Sequence, residues 1–221
     1  EAYDLYLRGL AQWQLRREQS LWDAAALFER SLAADPDFPP AHAGLALVYT
    51  VVDRYSARIT TQESQRRARD HAEQALALDP ASPEAFAALG SIAIDEGRRD
   101  TARRLFQRAI ALRPSFATAH QWLGASLMTA GELEGGLASL QRSAELDPRS
   151  LVTGHNQLWA LLALGREAEA RAACERVLAF VPEYSACLDT LALMALLRAE
   201  LDVAEPLLQR YAAPMDLRDE P

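Results

Sequence analysis

Apolar residues recur three and four places apart along most of this chain, as in Ala24 and Phe28 or Ala102, Phe106 and Ala109. Those steps line one face of a helix and do not match the alternation of a strand. Alanine and leucine dominate the hydrophobic half of the composition, and β-branched and aromatic residues are sparse. That balance favours helix, because Ala, Leu, Arg, Glu and Gln lose little freedom on entering one.

A longer period overlies the helical one. Pro80, Pro114, Pro148 and Pro182 stand 34 residues apart, each just past a helical run such as Leu78-Asp79 or Leu146-Asp147. Proline cannot continue a helix, so it marks a stop at one place in each period. Pro36 has the same context but lies 44 residues before Pro80, which predicts one longer loop at about Asp53 to Gln65. Twelve residues before each proline is a small residue (Ala24, Ala68, Ala102, Gly136, Ala170), and Ala204 is next in phase. Large residues follow four places later at Phe28, Phe106, Leu140 and Leu208, and a second small position recurs at Ala46, Gly90, Gly124 and Ala192. Gly97, Gly131 and Gly165 recur between the helices, where a left-handed cap is expected.

These features resemble the tetratricopeptide repeat, a helix-turn-helix unit of 34 residues. The match is clearest at Phe86, Leu89, Gly90, Ala102, Phe106, Ala109 and Pro114. The resemblance implies an all-α fold: a right-handed α-α superhelix, or solenoid, of about six helix pairs. The units fall at residues 2–36, 39–80, 83–114, 117–148, 151–182 and 185–214, and a polar tail covers 215–221. Two departures stand out: Leu158 at a small position of the fifth unit, and Tyr211 where the sixth would carry alanine. The stretch from Ala2 to Gly9, followed by Trp13, resembles the first repeat of arrays attached to bacterial nucleotide cyclases, protein kinases and winged-helix transcription factors. That likeness implies a sensing or docking role, with an effector domain expected before Glu1.

In such arrays the first helix of each pair lines the concave groove. The family pattern assigns Leu47, Val51, Ile94, Asp95, Gln121, Met128, His155, Trp159, Leu162 and Asp189 to a partner-binding groove, with Leu193 and Leu196 beside them. Tryptophan and methionine in a groove suit recognition of a helix or an extended peptide. Met128 and Trp159 fit a second reading equally well, as side chains packed between neighbouring helices. Carboxylate-clamping repeats use lysines and asparagines, whereas this chain has no lysine and only Asn156, so a chaperone tail is not the expected partner.

The formal net charge of -8 disfavours nucleic acid as a partner, because phosphate neutralisation needs positive surface. Arginines such as Arg66, Arg67, Arg69, Arg103 and Arg104 belong on outer faces, paired with nearby acids. Cys174 and Cys187 lack metal-ligand spacing and read as buried small hydrophobes, and His42 and His120 as packing residues. No catalytic motif, metal site or cofactor signature is present, and no apolar run is long enough to span a bilayer. The expected function is a protein-protein interaction scaffold that binds a peptide or partner domain, either from another chain or from the same polypeptide. A small-molecule-sensing domain and a self-associating array, including a homodimer, are the alternatives. The expected compartment is the cytoplasm, or the periplasm if the parent is membrane-anchored.

Overall fold

The computed structural model describes residues 1–212. The tail at 215–221 and the end of the sixth unit lie outside them. The described residues form twelve α-helices, which follow one another as six helix-turn-helix pairs. They are α1 (Ala2–Leu15), α2 (Glu18–Ala34), α3 (Pro39–Tyr49), α4 (Thr61–Leu78), α5 (Pro83–Asp95), α6 (Arg99–Leu112), α7 (Ala117–Thr129), α8 (Leu133–Leu146), α9 (Leu151–Ala163), α10 (Glu167–Leu178), α11 (Ser185–Leu197) and α12 (Leu201–Ala212).

Local chemistry sets where these helices start and stop. Pro39 and Pro83 open α3 and α5, where a missing N–H costs nothing. Thr60, Ser82 and Ser150 cap α4, α5 and α9, their hydroxyls accepting from the backbone N–H of Glu63, Ala85 and Thr153. The periodic prolines act on the residue before them. Asp35, Asp79, Arg113 and Asp147 take extended φ between -134° and -150°, as steric clash with the proline ring demands, and the helix ends there. Between paired helices Gly97, Gly131 and Gly165 adopt φ of +74°, +81° and +68°. The backbone N–H of Arg98 then reaches back to the carbonyl of Ala93, closing the last turn of α5.

The chain packs as two compact units, Glu1–Ser126 and Leu127–Pro221, divided inside α7. In the first unit Phe28 lies between two glycines. A Cβ at Gly9 would come within 2.5 Å of its ring, and one at Gly44 within 2.7 Å. Phe106 repeats this arrangement against Gly90, and Trp122 meets it edge-on with ring centroids 6.3 Å apart. The core of the second unit is built from Leu137, Leu140, Leu158, Leu161, Cys174, Cys187 and Leu191. Leu158 is fully buried there despite standing at a small-residue position, whereas Tyr211 is exposed.

The small position twelve residues before the prolines is buried in all six pairs, from Ala24 to Ala204. The long loop after α3 is not an open excursion. It contains a short 3-10 turn, Val52–Arg54, and Val52 is fully buried. The Trp22 indole donates to Ser56 Oγ at 3.1 Å, and that hydroxyl donates to Glu18 at 2.7 Å. The insertion is thereby fastened to α2.

Candidate protein-binding surface

The second, fifth, ninth, twelfth and thirteenth positions of each first helix are the ones the repeat pattern assigns to the groove. In the first unit they are mostly closed. Leu47 is 2% exposed, Val51 is buried beside it, and both belong to one apolar cluster with Val52, against which Ile59 of the insertion packs. Ser91 and Gln121 are buried and Ile94 is half-buried. Asp95 is exposed, but both its oxygens are engaged, accepting from Arg54 and from Gln65 at 3.2 Å each. The insertion therefore supplies side chains to the neighbourhood of two predicted groove residues.

The second unit differs. Trp159 and Leu193 occupy the same repeat position on α9 and α11, and are 57% and 54% exposed. Leu162 and Leu196 share the twelfth position; Leu162 is half-buried, and Leu196 is 43% exposed. Asp189 is exposed beside them on α11, and Met128 is half-buried against the core. Trp159 Nε1 donates to His155 Nε2 at 2.9 Å, one helical turn away. The acceptor role places the neutral ring's proton on Nδ1. Partial burial lowers the basicity of His155, which keeps this acceptor available near neutral pH.

The titratable groups elsewhere serve structure. Glu63 is held down at about 2 by hydrogen bonds from Arg66 and Arg67. Arg69 pairs with Glu96 at 2.6 Å and Arg113 with Glu84 at 2.5 Å, so several of the arginines have acidic partners at hand. Cys174 and Cys187 are free and buried side by side, and the shared contact and burial push the Cys174 thiol up. Sequence spacing did not suggest a histidine pair, yet His42 Nδ1 lies 3.1 Å from His71 Nδ1, with Tyr49 stacked on His71. The two rings come from α3 and α4, 29 residues apart, a separation no local pattern reports. His120 instead bonds the carbonyl of Pro114 at 3.0 Å. Among the described residues no group of three or more His, Cys, Asp or Glu side chains could hold a metal, and no helix is long and apolar enough to cross a membrane.

Residues 88–150 match the tetratricopeptide repeat family. The fold is the tetratricopeptide repeat. A structure of PilF from Pseudomonas aeruginosa superposes with a TM-score of 0.66 at 18% identity, covering 94% of this chain and 89% of that one. A thermophilic tetratricopeptide protein of Thermus thermophilus superposes with a TM-score of 0.64 at 18% identity, covering 95% and 98% of the two chains. YrrB, described as a tetratricopeptide protein with an unusual peptide-binding site, gives a TM-score of 0.51 at 20% identity over 86% of this chain and 91% of its own. Such identities establish the fold alone. In sequence, the transcriptional regulator HilA of Salmonella paratyphi A is 28% identical over 155 residues, 70% of this chain and 28% of HilA. The chain thus spans little more than a quarter of that relative's length. Tetratricopeptide folds generally mediate protein-protein interaction, and a regulator carrying related repeats fits the likeness of the opening stretch to regulator-attached arrays.

Proposed function

We propose that this tetratricopeptide domain is the docking part of a larger bacterial regulator, and that the first helices of its second unit take up a protein segment. The observation that carries this reading is the pair of exposed apolar side chains at one repeat position, Trp159 and Leu193, with exposed Leu196 and half-buried Leu162 three residues further on. Large side chains left in water at one repeat phase form a surface whose burial is favourable, and tryptophan supplies the most area at low entropic cost. His155 holds the indole in one orientation, and Asp189 gives the rim a charge that favours a segment with a cationic side chain beside its apolar ones. In this scheme Leu47 and Val51 support the first unit's core, Ile94, Asp95 and Gln121 belong to that unit's more closed surface, and Met128 packs against the core of the second.

Calorimetry against the remaining domains of the intact polypeptide, and against the products of neighbouring genes, tests the proposal. Replacing both Trp159 and Leu193 by alanine should weaken the partner that binds by about 2 kcal/mol or more, a factor of about 30. Unchanged affinity in that double variant would rule the surface out.

A further inference from the structure

The seventh residue of the first helix is leucine in the second, third, fourth and sixth pairs: Leu45, Leu89, Leu123 and Leu191. In the fifth pair it is Gln157. This side chain is only 9% exposed, and its amide has no hydrogen-bond partner among the described residues. A buried amide in place of a leucine costs stability, because it gives up hydrogen bonds to water and gains none from the protein. A polar group at an apolar repeat position therefore calls for a functional explanation.

Gln157 lines a cavity of about 130 Å³ walled by α8, α9 and α10, all within the second unit. At roughly 30 Å³ per water, that is the volume of about four water molecules. Each helix presents residues four apart, hence a single face: Leu137 with Gln141, Gln157 with Leu161, and Ala172 with Arg176. Buried Leu137 and Leu161, with half-buried Ala172, make one side apolar. The polar side consists of the Gln141 and Gln157 amides and the Arg176 guanidinium, none with a partner among the described residues. Glu169 also lines the cavity, but Arg166 donates to both its oxygens, at 2.6 and 2.7 Å. Arg176 is thereby the lining's uncompensated charge, and two amides stand with it.

We propose that this cavity binds a small monocarboxylate of about four to six heavy atoms, the size that its volume admits. The planar guanidinium of Arg176 takes the carboxylate, for which its paired N–H groups are matched. The Gln157 amide donates to the same carboxylate, which supplies the partner it lacks within the protein. A short alkyl group then lies against Leu137 and Leu161. Such a ligand touches three helices at once and ties two successive pairs together. The site is separate from the proposed docking surface, because Gln157 and Trp159 are two residues apart on α9 and so about 200° apart round its axis.

Thermal unfolding and calorimetry of the full 221-residue chain with sodium acetate, propionate and butyrate test it. Sodium chloride at equal ionic strength and neutral propionamide are the controls. At least one carboxylate should raise the melting temperature to a plateau, as a ligand of the folded state must, and propionamide should not. Arg176→Gln should weaken that binding at least about tenfold. Gln157→Leu gives the fifth pair the residue of its neighbours, so it should melt above the wild type without ligand and no longer respond to it. Should Gln157→Leu not fold, the exposed Arg176 still provides the test. A wild-type chain with no saturable response to any of the three carboxylates overturns the proposal. An equal response in wild type and Arg176→Gln overturns it too, as does propionamide binding as tightly as propionate. Binding of L-alanine but of none of the three carboxylates would mark a zwitterion site and overturn it equally.

Discussion

Ala199 sits one period after Gly165, at the turn where the earlier pairs use glycine, and is held at φ +58°. A Cβ in the left-handed region crowds the following carbonyl, at a cost of about 1–2 kcal/mol. Part of that is offset in the unfolded chain, which glycine makes more disordered. Ala199→Gly is therefore expected to stabilise the second unit by roughly 0.5–1 kcal/mol, and Gly165→Ala to destabilise it by a similar amount; urea unfolding measures both. The His42–His71 contact leads to a different kind of test. Burial chiefly, with the nearby His42 and Arg67 adding to it against the opposing Asp70, lowers His71 from 6.5 to about 4. The unfolded chain then binds a proton that the folded chain refuses. The stability contributed by neutral His71 is complete above about 6.5 and is lost as the pH falls toward about 4. In His71→Gln the fall in melting temperature across that window should be shallower than in the wild type. An equal slope in both would show that other groups set the acid response.

Helix-to-helix distance in the first unit is set by glycine against aromatic ring. A Cβ at Gly90 would lie 2.6 Å from Phe106, closer than packed carbons allow, so either the ring or the helix must move. Gly90→Ala should cost about 1–3 kcal/mol despite the better helix propensity of alanine. Gly135→Ala is the control: its new methyl would meet Leu127 at an ordinary 3.7 Å, so no such loss is expected. These close approaches were legible beforehand, because Gly90 and Phe106 recur in phase with the prolines and spacing along a helix is a local property. The insertion after α3 was legible only as extra length. Its docking rests on Trp22, Ser56 and Glu18, side chains far apart in the chain whose contacts no helical spacing reports. Ser56→Ala removes both bonds and the one that the Arg58 N–H donates to the same hydroxyl, and should cost about 1 kcal/mol and speed proteolysis within residues 53–60.

At the scale of the molecule, the two units use one repeat position in opposite ways. Leu47 and Leu193 are the same residue type at the same phase; one is 2% exposed and the other 54%. Leu47→Ala should therefore act as a core truncation, costing about 2–5 kcal/mol of stability. Leu193→Ala should leave the melting temperature nearly unchanged and act on partner binding alone. Paired measurement of thermal stability and affinity separates the two roles. A large loss of stability in Leu193→Ala would assign that side chain to packing rather than to a partner.

The sequence by itself determined the repeat. Prolines that stop helices, glycines that allow left-handed turns and small residues that admit a neighbour all act within one or two turns of chain, so their spacing suffices to specify six helix pairs. The resemblance to the repeat family added the expectation that Trp159, Leu162, Leu193 and Leu196 face a groove. Tertiary structure decided which of those expected groove positions are exposed. Burial depends on what a distant segment places beside a side chain: Ile59 of the insertion packs against the cluster that holds Leu47 and Val51, and His71 lies beside His42. Solvent exposure is a non-local quantity, and identical repeat positions can differ in it without any local sign.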